Sequence, residues 1–132
     1  MKIGIITAMS SEHKQVAQLL NNKKEHTEGI YSYTEGCIGN NTIILTQCGI
    51  GKVNAAAGAV ELIRGFQPDC IISTGVAGGI DKCLKVMDVV ASKQIVYHDV
   101  WCGEGNAYGQ VQGLPTYFKG NDSLFNCAMS LD

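Results

Sequence analysis

The sequence has little net charge, no long apolar run and few of the features that mark exported or membrane proteins. Ten basic and twelve acidic residues give a formal charge of −2 over 132 residues. Nucleic-acid binding usually requires an excess of basic residues, which this composition does not provide. No apolar stretch approaches the ~20 residues of a membrane-spanning helix. The N-terminal apolar segment is too short and too soon interrupted to serve as a signal peptide. We therefore expect a cytoplasmic protein with neither a nucleic-acid nor a membrane partner.

The cysteines also lack the spacing of a metal site. The six cysteines include no Cys-x-x-Cys pair, and their spacing matches no zinc-binding pattern. A disulfide framework is one interpretation, but several cysteines have strand-like neighbours. We interpret them as reduced residues that act as small hydrophobic side chains. The histidines and carboxylates form no metal-binding pattern either, so no metal is expected.

Strand-like and helix-like patterns alternate along the chain, and its length fits one domain. Strands are predicted at residues 2–7, 30–38, 42–48, 70–74 and 86–97. Helices are predicted from Ser10, with a serine as N-cap, from the glycine turn at residues 49–51, and from Asn121 or Asp122. Residues 21–27 are polar and are predicted to form a connection, and residues 98–116 are predicted to be irregular. This order predicts a three-layer α/β sandwich around a mixed central sheet.

Two glycine turns follow predicted strands, at the end where open α/β sheets bind ligands. Residues 49–51 open a helix, so their amides could face a polar ligand or form a plain helix start. Asn54 stands where a dinucleotide fingerprint requires its third glycine. Three of the five residues 75–79 are glycines, which indicates a backbone that some group approaches closely.

Glu12 lies in the first turn of the first predicted helix, just beyond the first strand. One interpretation is complementation of the helix dipole by its carboxylate. The other is a functional carboxylate that faces the same crevice as the two glycine turns. The spacing alone leaves both open.

Several collinear stretches, spread over essentially the whole chain, carry a resemblance to a known family. They are Lys2-Ile3-Gly4-Ile5-Ile6 with Ala8-Met9 and Glu12, residues 48–56 (CGIGKVNAA), Pro68-Asp69 with residues 73–79 (STGVAGG), Leu84-Lys85-Val86 with Asp88-Val89-Val90, Tyr97-His98-Asp99 and Tyr108-Gly109-Gln110. Together they resemble the bacterial 5′-methylthioadenosine/S-adenosylhomocysteine nucleosidases. The two glycine motifs are typical of the purine nucleoside phosphorylase superfamily, and the Met9–Glu12 spacing favours its nucleosidase branch.

The resemblance implies a role for specific residues around a nucleoside. Glu12 matches the general base that activates the water attacking the ribose anomeric carbon. The other matched positions pack around the ribose and its 5′ substituent (Met9 and Ile50) or line the water and purine side (Val76, Ala77 and Gly78). Many family members carry serine where Val76 stands, so a hydroxyl contact there would be lost.

The resemblance also implies a homodimer and a shared pocket. In family dimers the irregular stretch after residues 97–99 reaches into the 5′-alkylthio pocket of the neighbouring subunit. Trp101 and Pro115 are the closest matches in this chain, although residues 100–113 differ from the commonest family pattern. Family members continue well past residue 132, so the resemblance implies a single nucleosidase-like domain, residues 1–132, that lacks the C-terminal part of the family fold.

The expected reaction is hydrolysis of the N-glycosidic bond of methylthioadenosine and S-adenosylhomocysteine, which releases adenine without a cofactor. A phosphate-dependent phosphorylase is the first alternative, but such enzymes usually hold phosphate with arginines, and this chain has only Arg64. The second alternative is a non-catalytic, self-associating fragment, because missing strands would expose a sheet edge and apolar faces. We expect the 132-residue chain by itself to be inactive.

Overall fold

The computed structural model describes residues 1–131 and divides into two compact units, Met1–Gly78 and the residues from Gly79 onward. The first unit contains β1 (Lys2–Thr7), α1 (Ser10–Gln18), β2 (Asn21–Glu28), β3 (Tyr31–Ile38), β4 (Asn41–Gln47), α2 (Lys52–Phe66) and β5 (Cys70–Ser73). The second unit contains β6 (Gln94–Ile95), β7 (Phe118–Lys119) and α3 (Asp122–Met129). Within residues 1–131, no helix is both long enough and apolar enough to cross a membrane.

The first unit is built on a five-stranded mixed sheet with the order β2-β3-β4-β1-β5. β1 pairs in parallel with both β4 and β5, whereas β2, β3 and β4 pair antiparallel. β1 therefore lies between two parallel partners, and its last four residues are buried. Side chains that alternate along it face opposite sides of the sheet, so a strand of apolar residues needs a covering layer on each side.

The two helices cover opposite faces of this sheet. The core on the α1 face consists of Ile5, Leu20, Ile43 and Leu45, with Ile3, Val16 and Ala17 packed against it. The core on the α2 face consists of Ile6, Tyr33, Ile44, Cys48 and Leu62, with Tyr31, Ala59, Phe66 and Ile71 packed against it. The predicted three-layer sandwich around a mixed sheet is therefore confirmed.

Two glycines set the distance between α2 and the sheet. A Cβ atom at Gly4 in β1 would lie 2.7 Å from Cδ2 of Leu62, and one at Gly58 in α2 would lie 2.5 Å from Cβ of Cys48. Both distances are shorter than van der Waals contact. Glycine inside a helix or strand normally weakens it, so its presence at both positions is explained by the close packing of these layers.

The prediction of a connection at residues 21–27 is wrong, because this polar segment forms most of β2. β2 is an edge strand whose residues are exposed except for the half-buried His26, so it carries no apolar alternation from which a strand could be recognised. The segment is a strand because its backbone pairs with β3, and this pairing leaves no pattern in the side chains. Lysines on an edge strand also oppose unwanted pairing with another chain.

Two other predicted strands differ from those observed. Residues 86–97 were predicted as a strand, but only Gln94–Ile95 is one. A turn interrupts the segment, because the amide of Asp88 donates to the carbonyl of Lys85 and the Lys85 amide donates to the Asp88 carboxylate. Met87 adopts a φ of 81°, which is incompatible with a strand. Of the predicted residues 70–74, Cys70–Ser73 form β5, which is the edge strand of this sheet and is only partly buried.

We predict that Leu62→Ala destabilises the first unit by about 2–5 kcal/mol, because Leu62 is fully buried between α2 and the sheet and its truncation leaves a cavity. Val60→Ala in the same helix is the matched control, since Val60 is 49% exposed. Urea unfolding followed by circular dichroism measures both. Equal losses in the two variants would contradict the assigned packing of α2.

Candidate active site

Glu12 lies where β1 ends and α1 begins, and its side chain turns back toward the strand. Its Oε2 accepts hydrogen bonds from the backbone amides of Ala8, at 3.0 Å, and Met9, at 2.9 Å. Met9 is the N-cap of α1, so the predicted serine N-cap is wrong. Ser10 and Ser11 are the first two residues of the helix itself, so neither occupies the N-cap position.

The third donor to Glu12 comes from the loop that follows β5. The amide of Val76 donates to Oε1 of Glu12 at 3.0 Å. Hydrogen bonds from the amides of Val76 and then Met9 lower the pKa of the Glu12 carboxyl, whereas its burial acts in the opposite direction and is outweighed. Glu12 is therefore an ionised carboxylate that accepts hydrogen bonds both from the segment after β1 and from the loop after β5.

The glycine-rich loop after β5 makes room for this carboxylate. A Cβ atom at Gly75 would lie 2.5 Å from Oε1 of Glu12 and 2.8 Å from its Cδ. The prediction that some group closely approaches this backbone is therefore confirmed at Gly75, and the group is a side chain of the same unit.

The second glycine turn lies at the same edge of the sheet. The amide of Cys48 donates to the carbonyl of Thr7 at 2.9 Å, and the amide of Thr74 donates to the carbonyl of Ile6 at 3.1 Å. These bonds place the ends of β4 and β5 on either side of the end of β1. The turn after β4 and the loop after β5 therefore flank the segment that carries Glu12, as the topology of parallel strands requires.

Asn54 holds the turn after β4, a role that the sequence analysis missed. Gly49 and Gly51 have φ values of 94° and 100°, which are accessible to glycine. The side-chain amide of Asn54 donates to the carbonyl of Ile50 at 2.8 Å. The sequence showed only that Asn54 breaks a dinucleotide fingerprint, but an asparagine in the first turn of a helix is a common partner for such a carbonyl.

The substrate-binding positions predicted from the sequence occur at this edge of the first unit. Met9 is half-buried, Ile50 is exposed, and Val76, Ala77 and Gly78 are exposed in the loop after β5. Hydrogen bonds connect only Met9 and Val76 to Glu12. The assignment of these five residues to a ligand stays a prediction.

Trp101 and Pro115 belong to the second unit, and both are exposed. Their predicted place in the pocket of a neighbouring subunit stays a prediction. In the described part of the chain, no group of three or more histidines, cysteines, aspartates and glutamates is arranged to hold a metal ion.

Comparison with known proteins gives consistent matches. The chain is 43% identical over 125 residues to a 5′-methylthioadenosine/S-adenosylhomocysteine nucleosidase from Actinobacillus succinogenes, covering 94% of this chain and 54% of that protein. The nucleosidase from Neisseria meningitidis, solved with methylthio-immucillin-A, is 39% identical with a TM-score of 0.91, covering 97% of this chain and 56% of that one. The nucleosidase from Colwellia psychrerythraea, solved with adenine, is 38% identical with a TM-score of 0.93, and the match covers 98% of this chain and 54% of that one.

The resemblance to these nucleosidases is therefore confirmed, although the chain spans about half the length of the curated relatives it matches. The family model of the phosphorylase superfamily matches residues 2–131. By this match, which includes the strand end that carries Glu12 and both glycine turns, the chain belongs to the phosphorylase superfamily.

Proposed function

We propose that this chain supplies the water-activating part of a nucleosidase that hydrolyses the N-glycosidic bond of methylthioadenosine and S-adenosylhomocysteine and releases adenine. The observation that carries the proposal is the Glu12 carboxylate, held by three backbone amides at the carboxyl end of β1. The names of the relatives, and the adenine or nucleoside analogues bound in their structures, support the substrate class. The proposed reaction uses no cofactor.

The hydrogen bonds to Glu12 leave one oxygen able to bind water. A carboxylate has about four lone-pair directions, two on each oxygen. Oε2 accepts two amide hydrogen bonds and Oε1 accepts one. The remaining acceptor position on Oε1 is therefore where the attacking water would donate its hydrogen bond.

The lowered pKa of Glu12 fits a particular stage of the reaction. A carboxylate with a low pKa is a weak base toward free water. In glycoside cleavage through an oxocarbenium-like transition state, however, the attacking water becomes acidic as its oxygen bonds to the anomeric carbon. A weak base is sufficient at that stage, and the same negative charge stabilises the cation that develops on the ribose.

Phosphorolysis is disfavoured by the position of the single arginine. Arg64 lies in the last turn of α2, and that helix end is beside the start of β1, because Lys2 Nζ donates to the carbonyl of Phe66 at 2.9 Å. Glu12 follows the other end of the six-residue β1, which spans about 17 Å. A carboxylate at this edge would also repel phosphate, so we propose water as the nucleophile.

Several expectations remain proposals. They are the homodimer, the cytoplasmic location, the contribution of Trp101 and Pro115 to a neighbouring pocket, and the single domain over residues 1–132. Self-association is favoured by Ile80, Val86 and Val89, each more than nine-tenths exposed.

We predict that, in this chain joined to the C-terminal part that the family resemblance implies, Glu12→Gln lowers kcat for adenine release from methylthioadenosine by about 100- to 10,000-fold, because the amide cannot accept the proton of the attacking water. Glu61→Gln is the matched control, since Glu61 is exposed on α2. The assay is run with and without added phosphate. Turnover of Glu12→Gln within a few fold of the unmodified protein would refute the role of Glu12, and an absolute phosphate requirement would refute hydrolysis.

We predict that Gly75→Ala lowers kcat by up to about 100-fold, because the new methyl group would collide with Oε1 of Glu12 and displace the carboxylate. Gly65→Ala is the control for the same chemical change, since its Cβ atom would lie 3.4 Å from Oε2 of the flexible Glu28 side chain, an ordinary contact distance. Steady-state assays of both variants check this, and full activity of Gly75→Ala would contradict the assigned position of the carboxylate.

We also predict a dependence of stability on acid pH. Because the folded-state pKa of Glu12 is lowered from 4.5, the ionised carboxylate stabilises the fold above that pH, and this stabilisation is lost as pH falls through the lower, folded-state pKa. Urea unfolding at a series of pH values should show a steeper loss below pH 4.5 for the unmodified protein than for Glu12→Gln. Identical pH dependence of the two proteins would contradict the three-amide arrangement.

A further inference from the structure

His13, the residue after Glu12, makes a polar contact with the sheet. Its Nε2 lies 3.1 Å from Oγ1 of Thr34. Thr34 is on β3, is only 3% exposed and pairs with Leu45 of β4. The contact therefore connects the first turn of α1 to a buried, strand-paired position inside the sheet, two strands away from β1.

The backbone couples this contact directly to the Glu12 carboxylate. The amide of His13 donates to the carbonyl of Met9 at 3.0 Å, and the amide of Met9 donates to Oε2 of Glu12 at 2.9 Å. The three residues thus share one helical turn. Since successive side chains on a helix are about 100° apart, fixing the direction of His13 also fixes the direction in which Glu12 points.

The apolar packing of α1 does not by itself fix how far the first turn of the helix is rotated about its axis. The apolar contacts of α1 with the sheet are made by Val16 and Ala17, in the second half of the helix. Apolar packing of this kind is not directional, and it lies one turn away from Glu12. A hydrogen bond at His13 constrains the first turn itself.

The surroundings of His13 favour the neutral ring. Its Nδ1 is buried and, among residues 1–131, has no hydrogen-bond partner. Burial lowers the pKa of His13, and the carboxylate of Glu25 on β2 opposes that shift. Glu25, His26 and Thr34 line a shallow cavity with His13. A neutral imidazole with its proton on Nε2 donates to Thr34 and leaves no buried N–H without an acceptor.

From this geometry we propose that His13 is a positioning residue: through its hydrogen bond to Thr34, it sets the rotation of the first turn of α1 and thereby aims the Glu12 carboxylate at the water and the ribose. The inference rests on the proposed function, because aiming Glu12 matters for turnover only if Glu12 activates water. The bond itself lies on the α1 face of the sheet and does not touch the substrate side.

The test follows the titration of the Glu12 carboxyl carbon by NMR in the 132-residue chain, which requires no turnover. We expect Thr34→Val and His13→Leu each to raise the pKa of Glu12 toward its ordinary value, because a rotated first turn weakens the hydrogen bonds from Val76 and Met9. The double variant should shift it no further than either single variant. His13→Gln keeps a donor two bonds beyond Cγ, and it should retain the unmodified pKa of Glu12.

Thr46→Val is the matched control, because it removes a different buried hydroxyl, whose Oγ1 donates to the carbonyl of Ser32 at 3.1 Å. Thr46 pairs with Tyr33, which places it on the α2 face of the sheet. This variant should lower the melting temperature and leave the Glu12 titration unchanged.

If Thr34→Val and His13→Leu lower the melting temperature but keep the Glu12 titration of the unmodified chain, His13 has only a structural role and the inference is overturned. In the active protein, we expect the same two variants to lower kcat by up to about 100-fold with little change in KM. If the chain joined to the C-terminal part that the family resemblance implies releases no adenine even when unmodified, the proposed function is refuted, while the NMR result on the 132-residue chain still decides the role of His13.

Discussion

The buried negative charge of Glu12 is the constraint on which this end of the fold depends. A carboxylate removed from water is costly unless hydrogen bonds replace its hydration. Here three amides replace it, two from the segment that leaves β1 and one from the loop that leaves β5. Neighbouring parallel strands bring those two segments together, so the topology of the sheet and the ionisation of Glu12 support each other.

The absence of side chains at particular glycines makes this arrangement possible. Gly75 admits the Glu12 carboxylate, while Gly4 and Gly58 admit the close approach of α2 to the sheet. Gly4 and Gly58 weaken the strand and the helix that contain them, and tertiary contacts compensate for the loss. α2 begins directly after Gly51, in the glycine turn beside Glu12. The close packing of α2 on the sheet therefore also helps to hold that turn in place.

Much of the fold could be predicted from the sequence where apolar periodicity was strong. β1, β3, β4 and α2 have such patterns, and their predicted and observed bounds agree closely. β2 has none, because its residues are exposed or half-buried and its pairing depends on β3. The turn around Met87 depends on a positive φ and on the Asp88 carboxylate, and neither is visible as periodicity. The position of Glu12 at the strand end was predictable, and two of its amide donors, Ala8 and Met9, are local. The third donor, Val76, was not predictable, because that contact joins residues 64 apart.

The most direct measurement is a crystal structure of the protein with a nucleoside analogue whose ribose–base bond cannot be hydrolysed. The account predicts a water within about 3.2 Å of Glu12 Oε1, placed between that oxygen and the anomeric carbon. The amides of Ala8, Met9 and Val76 should still donate to the carboxylate. An analogue whose ribose lies away from Glu12, or a carboxylate that contacts the ribose itself with no water between them, would contradict it.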